Sequence, residues 1–322
     1  MDGTLATTAK QFLISGSVRA RNQAATWPGT GRFIRIRMNG LTQTELSRTP
    51  AYNPVDAFFG NEPTFTPSNL TRSDYLEKIA TGRFPDVIDL SHKNRDRWFQ
   101  AYIEQLIDRD ASQVSTGKVQ SAKLRSVLLS SAARTGQELN KEATARDADV
   151  DHRTVDRNLG LLEDLSVVTR VPAWNTKRLD RVRNTPKVHL LDPGMACHLL
   201  NIDATGLATD GALVGQLVET FVASEIISHI ETASARTELF HFRDRAQREV
   251  DLILERKGNI VGLEMKSATS VDRSDAKGLI WLRDKIGDSF HFGAVLYSGK
   301  LPFRIDDRIW ALPLDALWRQ PN

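Results

Sequence analysis

Asp251, Glu264 and Lys266 form the most reactive constellation in the chain, because the run EVDLILERKGNIVGLEMKSA sets a carboxylate on one segment against Glu-x-Lys on the next. VDLIL and IVGLEMK alternate at period two about a polar Lys257-Gly258 pair, which predicts a β-hairpin. A two-residue turn pairs Arg256 with Asn259 and Glu255 with Ile260, and the same register puts Asp251 opposite Glu264. Glu264 and Lys266 then share a face. Opposed carboxylates repel, the more so away from water, so the arrangement calls for a cation. Mg2+ suits it, since that ion takes one or two carboxylates and keeps waters for reaction. Lys266 would orient the attacking water or offset charge on a phosphoryl oxygen. The implied chemistry is metal-dependent phosphodiester hydrolysis. On an exposed strand, Glu-x-Lys is more commonly a solvated ion pair, and that plainer reading stands beside the catalytic one.

These residues resemble the D…ExK signature of the PD-(D/E)xK, restriction-endonuclease-like superfamily. A helical Glu often precedes that motif, and the resemblance assigns Glu219, in LVETFVASEII, to the metal shell with Asp251 and Glu264. Glu219 could equally cap a core edge or pair with an arginine. Val250 stands where the motif usually has Pro. Such scaffolds also occur with the site lost or repurposed, so the fold does not by itself imply activity.

The scaffold around these groups is a chain of 322 residues, too long for one ordinary core. Its formal net charge of +3 leaves any nucleic-acid affinity to local patches. A single cysteine, Cys197, excludes an intramolecular disulfide and fits a reducing compartment. Neither a signal-type amino terminus nor an uncharged run of about 18 residues is present, so a cytoplasmic protein with no membrane association is expected. The dispersed histidines give no zinc-type spacing.

Along the chain, QFLISGS and RFIRIR read as strands of an α/β fragment spanning residues 1–50. Residues 51–118 read as a Pro- and Asn-rich linker followed by two amphipathic helices, SDYLEKIATGRFPDVI and DRWFQAYIEQLIDRDA. Residues 119–200 show three helical segments, KLRSVLLSSAA, ELNKEATARDA and 151–165. VVTRVPAW, a basic loop with Lys177, Arg178, Arg181, Arg183 and Lys187, and the strand KVHLLD follow. Three helices and two strands flanking a basic turn predict a winged helix-turn-helix. In a DNA-binding version Arg153 and Arg157, one turn apart, reach the major groove while the loop cations Lys177, Arg178, Arg181 and Arg183 hold the backbone. Acidic residues on the same helix leave a protein-binding spacer as the alternative. Residues 201–322 read as the nuclease-like domain.

The order of segments resembles the prokaryotic AAA-like predicted ATPases that carry the domain of unknown function 4143 at their carboxyl end. QFLISGS is similar to that family's sensor strand, YLEKIATGRFPDV to its lid motif, KVHLLDPGMA to the strand entering the last domain, and LVGQLVETFVASEI with REVDLILE and GLEMKSA to that domain. The resemblance implies a multidomain α/β protein: an ATPase-core remnant, a helical lid, a winged helix and a restriction-endonuclease-like domain. The phosphate-cradling Gly-x-x-x-x-Gly-Lys-Ser/Thr pattern is missing, and Gly117-Lys118 is followed by Val119, so ATP hydrolysis by this chain alone is not expected. A DNA-associated Mg2+ nuclease, a non-catalytic DNA- or protein-binding module, and a fragment of an ATP-binding ATPase are the function classes left open.

Overall fold

Residues 36–48, 52–60, 65–115, 117, 119–176 and 185–320 are described by the computed structural model. The expected QFLISGS strand, residues 32–35 of RFIRIR, and Lys177, Arg178, Arg181 and Arg183 lie outside them. Ile36 and Arg37, the described end of RFIRIR, are not in a strand.

Two short helices, α1 (Gln43–Leu46) and α2 (Pro54–Phe58), are capped by Thr42 and Asn53, whose side chains accept the orphan N–H groups of the first turn. α3 (Arg72–Thr81) starts in a Thr71/Asp74 capping box and stops at Gly82, whose φ of 82° ends the helix. α4 (His92–Gln105) runs through a π-helical stretch, Leu106–Asp110, into α5 (Ala111–Val114).

Next come α6 (Ser121–Ala133), β1 (Gln137–Glu138), α7 (Lys141–Asp147), α8 (His152–Asp164), β2 (Val168–Val171) and β3 (Lys187–Leu190). The three strands form an antiparallel sheet in the order β1-β3-β2. The helical segment expected at ELNKEATARDA therefore divides: Glu138 pairs in β1 against Lys187, and the helix begins at Lys141 behind an Asn140 cap. Asp151 caps α8 by accepting the Thr154 N–H at 2.9 Å, worth about 1 kcal/mol. α8 buries Val155, Leu159 and Leu162, as the sequence periodicity predicts.

α9 (Pro193–Leu199) and α10 (Ala204–Thr209) lead to the 21-residue α11 (Gly211–Glu231). Among the described residues α11 is the one helix long and apolar enough to cross a membrane; over half of its apolar window is buried within the fold. Then follow β4 (Glu238–Arg243), β5 (Glu249–Arg256), β6 (Asn259–Lys266), α12 (Lys277–Ile286), β7 (Phe290–Tyr297), β8 (Phe303–Asp306) and β9 (Ile309–Pro313). They form a mixed six-stranded sheet in the order β4-β5-β6-β7-β9-β8. β4, β5 and β6 are antiparallel in series, and α12 is the crossover that makes β7 parallel to β6.

The fold is thus mixed α/β with two apolar layers. Leu217, Phe221 and Val222 of α11 share one core with Leu252, Leu254 and Leu263 of the sheet, and with Ile79, Leu128, Leu159 and Val188 from the earlier elements. A smaller core, with Ile253, Ile260, Leu279 and Leu282, lies between the other sheet face and α12.

Candidate functional site

The hairpin turn is built as its sequence predicts. Lys257 and Gly258 have φ of 51° and 87°, the left-handed pair of a two-residue turn whose twist matches the strands, and Arg256 pairs with Asn259 and Glu255 with Ile260. The paired register runs to Leu252 opposite Leu263, one residue short of Asp251 and Glu264. On its other edge β5 is bulged. Phe240 faces Ile253 and Phe242 faces Val250, so Asp251 and Leu252 together oppose His241. A bulge breaks the alternation and re-aims a side chain.

Asp251 Oδ2 accepts the Met265 N–H at 2.9 Å, fixing the carboxylate across the hairpin beside Glu264. Glu264 is buried, and burial together with the neighbouring Asp251 carboxylate pushes its carboxyl well above the ordinary range. Gly278 of α12 lies over Glu264 and the β5 backbone: a Cβ there would stand 2.7 Å from Glu264 Oε1 and 1.9 Å from the Glu249 carbonyl oxygen. Lys266 shares the Glu264 face and its charge opposes the upward shift of that carboxyl.

Glu219 joins the cluster from α11, through Lys187. Lys187, at the junction of the expected basic loop and the expected strand KVHLLD, opens β3, and its side chain is 2% exposed. Its Nζ lies 2.8 Å from Glu219 Oε1, 2.8 Å from Glu249 Oε1 and 3.6 Å from Asp251 Oδ1. Lys187 is enclosed because β3 is the central strand of its sheet and packs on α11. A fully buried lysine occurs almost only when paired. Burial alone would lower its pKa, but the three carboxylates overcome that and raise it. Burial and the Asp251 charge push Glu219 up to about 8, against the pull of Lys187. Burial likewise opposes ionisation of Glu249, yet Lys187 holds it below its ordinary value.

Two histidines complete the surroundings. His189 Nδ1 is 3.3 Å from Thr220 Oγ1, and burial with the Lys187 charge lowers its pKa to about 3. His241 Nε2 is 3.0 Å from the Thr185 carbonyl oxygen, and the same two causes lower its pKa to about 4. Both rings are neutral near pH 7.

A divalent cation among these acids would have to displace Nζ, to which Glu219, Glu249 and Asp251 already turn oxygens. Among the described residues no group of three or more His, Cys, Asp or Glu side chains is arranged to hold a metal ion. The side chains as placed do not fit Mg2+. Asp251, Glu264 and Glu219 are nonetheless brought together, with Lys266 beside Glu264. Lys187, Glu249 and Gly278 are the site residues that sequence reasoning missed. Only the tendency of a lysine in an otherwise apolar strand, KVHLL, to seek acids could have signalled the first.

Arg153 and Arg157 are both exposed on α8. The acids of that helix are engaged: Asp156 pairs with Lys141 at 2.9 Å, Glu163 with Arg170, and Asp151 caps the helix. An open cleft of about 580 Å³ lies at the start of α8, lined by Lys123, Arg146, Asp149 and His152 among others.

Comparison with known proteins places two domains on this chain. Residues 72–206 match the model of a Domain of unknown function (DUF8612), and residues 214–317 match that of a Domain of unknown function (DUF4143). Uncharacterized proteins of Mycobacterium bovis and Mycobacterium tuberculosis are each 27% identical over 241 residues, covering 74% of this chain and 52% of the relative. The chain spans about half the length of the curated relatives it matches. No solved structure matches it.

Proposed function

We propose that this chain is a DNA-associated coupling module of the AAA-like ATPase family, with a winged helix-turn-helix joined to a restriction-endonuclease-like domain whose acid hairpin serves structure and not catalysis. The observation that carries it is the order helix, strand, helix, helix, strand, strand over residues 121–190, with Arg153 and Arg157 exposed on the third helix. α8 would enter the major groove, while Lys177, Arg178, Arg181 and Arg183 would follow the phosphates. The restriction-endonuclease-like reading draws support from α11, three antiparallel strands, the α12 crossover and a parallel β7, with Asp251 and Glu264 meeting on the second and third strands. No ATP step is assigned to these residues, because the sequence lacks the phosphate-cradling loop.

Fluorescence anisotropy of a labelled duplex at several salt concentrations tests the DNA contact. Arg153→Ala and Arg157→Ala are each expected to weaken binding and to reduce the log–log salt slope by about 0.9 for each phosphate that is no longer neutralised. Equal binding by the wild type and the double variant would remove this reading.

A second reading, Mg2+-dependent phosphodiester hydrolysis by Asp251, Glu264 and Lys266 with Glu219 beside the ion, is favoured by the juxtaposition of Asp251 and Glu264. It requires Lys187 to leave the cluster. Cleavage of plasmid, linear and single-stranded DNA with Mg2+ or Mn2+, abolished in both Asp251→Ala and Lys266→Ala, would establish it over the first.

A further inference from the structure

We infer that the Lys187 ammonium is the resident cation of the acid cluster, standing in for a divalent ion and clasping the unit of residues 121–190 onto the C-terminal sheet. The inference rests on the proposed structural role of the acid hairpin and is independent of DNA contact.

Three elements supply the clasp. Lys187 comes from β3, Glu219 from α11, and Glu249 with Asp251 from β5. An ammonium is a compact charge with three N–H donors, and Lys187 meets three carboxylates: two at 2.8 Å and a third at 3.6 Å. Such a cluster without a central positive charge would leave buried like charges unopposed.

The approach of the acids is built into neighbouring backbone. Gly136, at φ 77°, precedes β1, and a Cβ there would lie 3.5 Å from Glu219 Oε2. Thr135 and Thr220 hydroxyls are 2.8 Å apart, and the Leu190 N–H donates to Thr135 Oγ1 at 3.1 Å, tying β3 to α11 beside the ion pair. The bulge in β5 delivers Asp251 to the same place. Arg243 and Lys266 also stand near the cluster, and the Arg243 charge helps Lys187 to hold Glu249 below its ordinary value. Lys266 faces Glu264, and Arg243 pairs with Glu138 at 3.8 Å and with Gln247 at 2.6 Å.

The test uses the full chain without DNA: Mn2+ binding followed by the electron paramagnetic resonance of the free ion, alongside thermal melting in EDTA or Mn2+. Wild type is expected to bind no stoichiometric Mn2+ and to melt at the same temperature in both. Lys187→Ala is expected to melt on the order of 5–10 °C lower in EDTA and to recover in Mn2+, with recovery abolished by adding Asp251→Ala. Should Lys187→Ala not fold, Lys187→Met removes the ammonium while keeping much of its volume and is expected to bind Mn2+ at least about tenfold tighter than wild type. Stoichiometric Mn2+ binding by wild type that Asp251→Ala removes would overturn the inference, as would a Lys187→Ala chain as stable as wild type in EDTA. A failure of DNA binding alters neither readout.

Discussion

The Arg83 guanidinium and the Glu225 carboxylate meet 3.2 Å apart with side chains 1% and 0% exposed. The contact is one of charge and not a hydrogen bond. Arg83 Nε donates to the Leu41 carbonyl oxygen at 3.0 Å, while Nη2 donates to the Gly40 carbonyl oxygen at 2.9 Å and to Ser228 Oγ at 2.7 Å. Glu225 Oε2 accepts the Gln43 N–H at 2.9 Å, and Asp192 Oδ2 accepts the Arg83 N–H at 2.6 Å. Residues 40–43, the stretch after α3 and the core helix α11 are joined at this one point.

Arg83→Lys is therefore expected to be far from conservative, because an ammonium cannot reproduce the planar fork. Arg83→Met leaves Glu225 as an uncompensated buried charge and should cost about 3–5 kcal/mol, whereas Arg83→Met with Glu225→Leu should recover much of it. Urea unfolding of the three variants checks this, and equal destabilisation in single and double variants would contradict the pairing.

Gly278 offers a different kind of test. Its Cα packs so near β5 that Gly278→Ala must move α12 away from the Glu249 carbonyl oxygen and from Glu264, at a cost of about 1–3 kcal/mol. Gly258, by contrast, has open space around it, so Gly258→Ala meets only its left-handed backbone and should cost about 1 kcal/mol. Melting curves should rank Gly278→Ala as the more damaging, with changed amide exchange in β6 at Glu264 in that variant alone.

The neutral His189 sets a pH dependence whose direction is fixed. Its folded pKa of about 3 lies below the ordinary 6.5, so between these values the unfolded chain holds more protons and stability falls as pH falls. From pH 7 to pH 5 this histidine alone costs about 2 kcal/mol. His189→Gln should be free of that share, so its stability relative to wild type rises by about that amount over the same interval. Denaturation at the two pH values measures it, and a constant difference would mean that His189 titrates normally.

The hairpin, its two-residue turn and the apolar face of α8 were legible because their causes are local: period-two alternation, a Lys-Gly pair and helical spacing over one short stretch. Glu219 was found by resemblance, and its neighbourhood with Asp251 was implied by the same resemblance. Local periodicity could not show that Asp251 is re-aimed by a bulge, since a bulge is a mismatch in length between two paired strands. Nor could it show Glu138 in a strand, a two-residue pairing whose partner, Lys187, lies far along the chain.

Hydrophobic periodicity, the turn and the collection of acids that needs a positive charge belong to the chain read in one dimension. Tertiary structure alone decided which charge answers it. A lysine beside a run of basic loop residues looks solvent-facing in one dimension, but β3 is the middle strand of its sheet and is covered by α11, so the Lys187 side chain is buried. The low-polarity interior then brings it against Glu219, Glu249 and Asp251, because a buried ammonium is stable only where carboxylates replace the water of its hydration shell.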